Sequence, residues 1–384
     1  MAREEPNSVE VDKWLKLIRA DGVGPVTFAR LLERFGSVDR ALGASVSELG
    51  KVEGIGFRTA ERIAGTREKF DASAEIDLAA SLGVYLLSLQ DSRYPPMLKR
   101  IHDPPPVLYV KGSLTRDDNL AVSIVGSRRC SMYGREQSGR LAHMLASAGF
   151  TICSGMARGI DTEAHNGALA ARGRTIAVQG CGLANVFPPE NKRLFGLVCE
   201  SGACISELPL GYEPLAENFP PRNRIIAGLS LGTIVIEAGL RSGALITAAA
   251  ALDYNREVMA VPGKIDSPLA RGSNRLIKQG AKLVESVEDV IEALGYFGEQ
   301  LQDHVAAAAE NAARAAQTPL FDVGQLKLAP DEKRIHGLLT KEPTHIEQII
   351  ADTGLSPGAV NAALVSLRLK ALIKQLPGSF FVSS

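Results

Sequence analysis

Net charge is the first thing this chain lacks. Forty-three Lys and Arg stand against 43 Asp and Glu, so no global field draws it to nucleic acid or to an anionic membrane. Any polyanion site has to be a local patch. Aromatic residues make up 5% of the chain, which thins the supply of rings on which bases could stack. The five cysteines (Cys130, Cys153, Cys181, Cys199, Cys204) contain no C-x-x-C pair. An odd number, four of them beside apolar or small residues, reads as reduced thiols and not as a disulfide framework or a zinc site. The six histidines are scattered, and no metal site is expected. No apolar run approaches the ~20 residues of a membrane span, and the opening MAREEPNSVEVDKW has no apolar signal core. The expectation is a soluble cytoplasmic protein with no membrane partner.

Several catalytic signatures are absent too. No G-x-x-x-x-G-K-[ST] occurs, which argues against a P-loop ATPase, and the first strand-to-helix turn reads G-S-R-R where a dinucleotide site needs G-x-G-x-x-G. There is no G-x-S-x-G elbow, and no Asp/Glu/His set announces acid–base machinery. The residues point to a binding site and not an enzyme, with no cofactor.

At 384 residues the chain calls for two or three domains. Residues 1–71 read as short helices broken by glycine pairs. In DGVGPVTFARLL and VEGIGFRTAERIA a Gly-apolar-Gly turn opens a helix, the form of a helix-hairpin-helix. Of the two, Gly54, Ile55 and Gly56 with Ala60 match better. Such a hairpin either brings backbone N–H groups to a DNA phosphate or packs against protein. Residues 72–297 form the core. Its leading part carries a strand at VYLLSL and the proline-rich YPPMLKRIHDPPPVLYVKG, an ordered connector in which prolines forbid regular helix. From 118 onward apolar strands (AVSIVG, FTICSG, TIAVQG, CISELP, GTIVIEA, EVMAVPG) alternate with helices, as in a Rossmann-like, doubly wound parallel α/β sheet. Residues 298–328 are Ala/Gln-rich and read as a linker. Residues 329–384 have the order of a winged helix, with a turn at Pro377-Gly378. The would-be recognition helix offers few polar residues (Asn361, Ser366, Arg368, Lys370), which favours protein docking over operator binding.

In an open parallel sheet, ligands lie outside the carboxyl ends of the strands. The turns there carry Gly126, Ser127 and Arg128; Ser154, Gly155, Arg158, Gly159 and Asp161; Gly180 and Gly182, then Lys192 and Arg193; Arg222, Asn223 and Arg224; and Arg241. Asp161 and Glu163 also suit helix capping or the helix dipole. Between 118 and 297 arginine outnumbers lysine 14 to 4, a bias suited to bidentate phosphate recognition. Some of these arginines should instead pair Glu207, Glu217 or Glu237 within the fold.

The ordered set VGSRRCSMYG, SGMARGID, TIAVQGCGLANVFPPENKRL, ISELP, FPPRNRIIAGLS, SGALITAAAA and VPG followed by GSNRLIKQGAKLV resembles the DNA-processing protein A family (DprA, also called Smf). The resemblance covers about 118–285, and the flanks agree with it: an all-α domain of the sterile-alpha-motif or helix-hairpin-helix type before the core and a winged helix after it. It implies a non-catalytic protein that binds single-stranded DNA, protects it during natural transformation and hands it to the recombinase RecA as a homodimer. It further implies DNA contact by Gly126, Ser127, Arg128, Gly155, Arg158, Lys192, Arg193, Arg222, Asn223, Arg224 and Arg241. Dimer contact would involve Leu276, Ile277 and Leu283. Tyr133, Phe187 and Phe219 are the few aromatics near that site. A second resemblance is of SLGTIVIEAGLRSG to nucleotide-handling phosphoribohydrolases, whose Pro-Gly-Gly-x-Gly-Thr loop precedes a glutamate. Here the loop is G-L-S-L-G-T and the glutamate is Glu237. A transcription regulator resting on the winged helix is the third reading.

Overall fold

Ala121–Val125 is buried along its whole length, as a strand covered on both faces must be. Its one polar side chain is answered in place, Ser123 Oγ lying 2.7 Å from Thr233 Oγ1 of the neighbouring strand. Around it the computed structural model, which describes residues 8–295, 329–340, 343–369, 372–376 and 380–383, builds a nine-stranded sheet. In chain order the strands are β1 (Val84–Ser88), β2 (Val107–Gly112), β3 (Ala121–Val125), β4 (Thr151–Ser154), β5 (Thr175–Val178), β6 (Ala203–Ser206), β7 (Gly232–Val235), β8 (Glu257–Ala260) and β9 (Lys282–Leu283). Their spatial order is β1-β2-β6-β5-β4-β3-β7-β8-β9. The seven from β6 to β9 run parallel, and β1 and β2 add an antiparallel edge. The chain steps outward from β3 to β6, returns, and continues from β7 to β9 on the other side of β3. This reversal opens a crevice at the carboxyl ends of β3 and β7, where doubly wound sheets bind ligands.

The described residues open with six helices, α1 (Ser8–Ile18), α2 (Pro25–Phe35), α3 (Val38–Gly43), α4 (Val46–Leu49), α5 (Phe57–Thr66) and α6 (Ala72–Ser81). Gly24 and Gly56 stand at the N-caps of α2 and α5, as the Gly-apolar-Gly pattern predicts. Trp14, Phe28, Leu31 and Ile63 form their core, which runs on into Tyr109, Phe195 and Cys204 of the sheet layer. The proline-rich connector departs from expectation in one place. It contains the single turn α7 (Pro96–Lys99), opened by a proline where the missing N–H costs nothing.

Among the described residues the remaining helices of this unit are α8 (Met132–Ser147), α9 (Ile160–Ala170), α10 (Lys192–Ser201), α11 (Phe219–Leu229), α12 (Ala244–Asp253), α13 (Arg271–Lys278) and α14 (Val287–Ala293). One face of β3 packs Val122 and Ile124 on Leu141, Leu145, Ala164 and Ala168 of α8 and α9. The other sheet face packs Ile176, Val178 and Ile205 with Ile225, Ile226 and Ala248 of α11 and α12. No helix among the described residues is long and apolar enough to cross a membrane.

The second unit is built from α15 (Pro330–Leu338), β10 (Thr344–His345), α16 (Ile346–Thr353), α17 (Pro357–Leu369), β11 (Ile373–Leu376) and β12 (Phe380–Ser383), with strand order β10-β12-β11. This is the winged-helix order, closed over Ile335, Ile349, Val360, Leu364 and Phe381. On α17, Asn361 folds back onto Pro357 O and Ser366 donates to Glu332. Residues 298–328, the Pro377-Gly378 turn and Lys370 lie outside the described residues.

The crossing of α8 and α9 supplies a test of the packing. A Cβ at Gly167 would lie 2.3 Å from Gly139 O, so Gly167→Ala forces the helices apart and should cost about 1–3 kcal/mol. Urea unfolding checks this, and an unchanged midpoint would mean that the helices can separate freely.

Candidate nucleic-acid interface

The crevice at the reversal point is a cleft of about 790 Å³. It is lined by Gly126, Ser127, Arg128 and Arg129 after β3, Ala157 and Asp161 after β4, Phe219, Arg222 and Asn223 at the start of α11, and Arg241 to Gly243 after β7. Each loop is held by its own sequence. The β4 loop lies against the β3 loop because Gly159 has φ +76 and a Cβ there would sit 2.4 Å from Ser127 O. The β3 loop is tied to the chain after β7, since Ser127 N donates to Glu237 O at 2.7 Å. Glu237 also caps α8: its carboxylate accepts from Ser131 N at 2.7 Å and from Ser131 Oγ at 2.8 Å. An acid at that helix start complements the helix dipole.

Beneath the cleft lies Arg222, 4% exposed. Its Nη1 donates to Gly155 O at 2.6 Å and to Val178 O, the first carbonyl of the turn after β4 and the last carbonyl of β5. Its Nε has no partner among the described residues. Burial lowers its pKa to about 10, against the opposing pull of Asp161. Asp161 is equally buried, and its Oδ2 accepts from Gly155 N at 3.1 Å and Ala157 N at 3.3 Å. Desolvation raises its pKa to about 6, with Arg222 acting in the opposite sense. Both side chains crowd Gly155, where a Cβ would meet Arg222 Nη1 at 2.5 Å and Asp161 Oδ2 at 2.7 Å.

Above this centre the guanidinium of Arg128 stands 4.9 Å from the centroid of the Phe219 ring, with Arg222 5.7 Å from the same centroid. Phe187 completes the group, its ring 5.6 Å from that of Phe219. Two like charges over one ring, with a single buried carboxylate beneath, leave a local excess of positive charge that an anion would relieve. Arg128, Arg129 and Arg241 form no ion pair among the described residues.

Six of the eleven residues expected at the interface line this cleft: Gly126, Ser127, Arg128, Arg222, Asn223 and Arg241. Gly155 and Arg158 border a satellite recess with Arg128, Phe187 and Phe219, and Arg158 is ion-paired to Glu190 across the exposed surface. Lys192 borders a neighbouring depression of about 360 Å³ with Phe187 and Asn185. Arg193 is exposed on α10 but lines none of these hollows. Arg224 turns to the other side of α11, where it is bridged to Glu207, is 3.4 Å from Asp103 Oδ2, and donates to Asp103 O at 2.7 Å. Leu276 and Ile277 are half-buried on α13, and Leu283 is 44% exposed on the edge strand β9. Tyr133 donates to Pro262 O at 3.1 Å and lines a separate groove. Arg129 was not among the expected residues, although the doubled arginine of G-S-R-R carries the signal for it.

A doubly wound sheet whose reversal-point crevice presents guanidinium groups with no ion pair among the described residues, while its nearest carboxylates serve as anchors and caps, defines an α/β protein with a cationic cleft. A family model described as DNA recombination-mediator protein A matches residues 85–295, flanked by a DprA-like N-terminal HHH domain at 10–61 and a DprA winged helix domain at 308–379. The chain belongs to the DNA recombination-mediator protein A (DprA/Smf) family. Protein Smf of a Synechocystis species is 36% identical over 95% of this chain and 96% of its own length. Protein Smf of Escherichia coli is 40% identical over 77% and 76% respectively. The crystal structure of DNA processing protein A from Streptococcus pneumoniae matches with a TM-score of 0.63 at 36% identity, covering 74% of this chain and 97% of that one. A structure describing the single-stranded DNA binding mode of the Helicobacter pylori protein matches with a TM-score of 0.50 at 29% identity, covering 55% and 95%.

Asp161 gives the site a pH signature. Its folded pKa of about 6 exceeds the ordinary 3.8, so the folded state binds the proton more tightly and stability falls as pH rises between those values. Relative to Asp161→Asn, the parent should lose about 2 kcal/mol between pH 4 and pH 7. Parallel urea curves for the two proteins across that range check it, and parallel pH profiles would remove Asp161 from this role.

Proposed function

We propose that this protein binds single-stranded DNA along the cleft, works as a homodimer, and delivers the strand to the recombinase RecA. It acts by binding, without a cofactor and without turnover. The observation that carries the DNA reading is the convergence of Arg128, Arg129 and Arg241 on one cleft with no ion pair among the described residues. Phe187 borders this cleft, the recess of Arg158 and the depression of Lys192. That adjacency suits a polymer, whose successive phosphates need successive cations, better than a single nucleotide. Phe219 and Phe187 are the rings available for base stacking. The single-strand binding of the Helicobacter pylori relative supports the reading. Delivery to RecA and the dimer rest on the family resemblance, with Leu276, Ile277 and Leu283 as the dimer contacts.

The phosphoribohydrolase reading asks for Glu237 as the working carboxylate. Both its oxygens are engaged by Ser131, an arrangement that suits a helix cap. Glu237→Gln, assayed for release of free base from a nucleoside monophosphate, separates the two readings.

Anisotropy of a labelled oligo-dT at several salt concentrations tests the interface. The logarithm of affinity should fall linearly with the logarithm of salt, by about 0.7 per phosphate neutralised. Arg128→Ala and Arg241→Ala should each weaken binding and lower that slope by about 0.7 while thermal stability holds. Binding that ignores salt, or variants that bind like the parent, would sink the site. For the dimer, Leu283→Arg alters an exposed residue and should give monomers in sedimentation velocity with the thermal midpoint retained. A dimer that survives it removes Leu283 from the interface.

A further inference from the structure

Away from the cleft, α10 lies on β6 and β2 and brings two cysteines together. Cys204 is the second residue of β6 and pairs in register with Lys111 of β2. Both present their side chains to α10: Lys111 Nζ stands 6.0 Å from the centroid of Phe195, and Cys204 Sγ donates to Phe195 O at 3.7 Å. Cys199 is four residues beyond Phe195 on the same helix, one turn on and on the same face. The helix is seated tightly at this turn, since a Cβ at Gly112 would lie 2.7 Å from Cys199 O. All five cysteines are free thiols. Cys204 is fully buried, while Cys199 is partly open to solvent.

We infer that Cys199 and Cys204 form a peroxide-responsive dithiol, a reversible modification site in which Cys199 reacts first and Cys204 closes the disulfide. The electrostatics agree with this division of labour. The neighbouring Cys204 thiol, aided by the Lys111 ammonium, holds the Cys199 thiol below its ordinary pKa. Burial pushes the Cys204 thiol up. The Cys199 thiolate attacks one oxygen of hydrogen peroxide, the O–O bond breaks, and the departing hydroxide takes up a proton as water. The resulting sulfenic acid is attacked by the Cys204 sulfur, which gives up its proton as the S–O bond breaks and a second water leaves. Two thiols and one peroxide become one disulfide and two waters, the sulfurs losing the two electrons that the peroxide gains.

The test uses the reduced full-length chain, treated with hydrogen peroxide, then unfolded in guanidinium chloride, capped with iodoacetamide and digested with trypsin. The peptide 194–222 holds Cys199, Cys204 and no other cysteine. It should lose two hydrogens and refuse the alkyl cap, roughly tenfold faster than Cys130, Cys153 or Cys181 is oxidised. Dithiothreitol should restore alkylation at both positions. In Cys204→Ser the sulfenic acid should persist on Cys199 and be trapped by dimedone, whereas Cys199→Ser should yield no adduct at Cys204. The inference is overturned if the parent's two thiols stay fully alkylatable under peroxide, or if Cys199 passes to the sulfinic acid without a disulfide. The measurement on the parent decides the matter even if a variant does not fold.

Discussion

One guanidinium, sealed under the carboxyl edge of the sheet, holds the cleft together. Strand ends leave carbonyls without ladder partners, and buried carbonyls left that way are costly. Arg222 answers Gly155 O and Val178 O from a single nitrogen, so the end of β4, the end of β5 and the first turn of α11 meet at one point. Asp161 enters the same point from α9 and takes the N–H groups of Gly155 and Ala157. The centre is expensive, as the displaced pKa values of both residues record, and removing either partner alone would leave a buried charge unanswered. The exposed layer depends on it. Phe219 opens the helix that Arg222 anchors, and Arg128 rests on Phe219.

The motif FPPRNR is therefore a two-faced device. Residues two apart on an α-helix point about 200° apart, so Arg222 and Arg224 cannot serve the same surface. Arg222 secures the cleft from below. Arg224 secures the opposite side of α11 through Glu207 and Asp103, and Asp103 also accepts from Tyr254 at 2.6 Å. Neither presents a freely exposed guanidinium. The accessible cations come from elsewhere: Arg128 and Arg129 on the β3 loop, Arg241 after β7, and Lys192 at the start of α10.

This division explains how much of the molecule was legible in the sequence. The sheet was readable because parallel strands buried on both faces are unbroken apolar runs, and the helices between them follow from the alternation. β9 escaped because two residues, Lys282 and Leu283, carry no periodicity. The position of the cleft was also readable, since a doubly wound sheet opens at the carboxyl ends of its strands where the strand order reverses. What composition and spacing do not reveal is which arginine is free. Arg158 meets Glu190 from 32 residues away, and Arg224 meets Asp103 from 121. Glu207 was among the anticipated acid partners, but nothing local in the sequence assigned it to Arg224. Asp161 reads locally as a helix-start acid, and it takes folding to turn it back onto Gly155.

The helical bundle at the start of the chain bears on the same centre. Arg19 donates to Glu207 O at 2.6 Å, and Glu75 accepts from Leu210 N at 2.7 Å, so one side chain of each sign grips the short stretch after β6. That stretch also supplies the carboxylate that holds Arg224, and Gly182 packs beneath it with no room for a Cβ against Pro209 O or Leu210 O. An apolar seam alone would let the bundle slide with little loss, because hydrophobic contact is not directional. A donor and an acceptor placed three backbone positions apart admit one register. The bundle is thus braced against the segment that orients α11, and a change that loosened it would be felt first at Arg224, then along α11, and only then at the exposed arginines of the cleft.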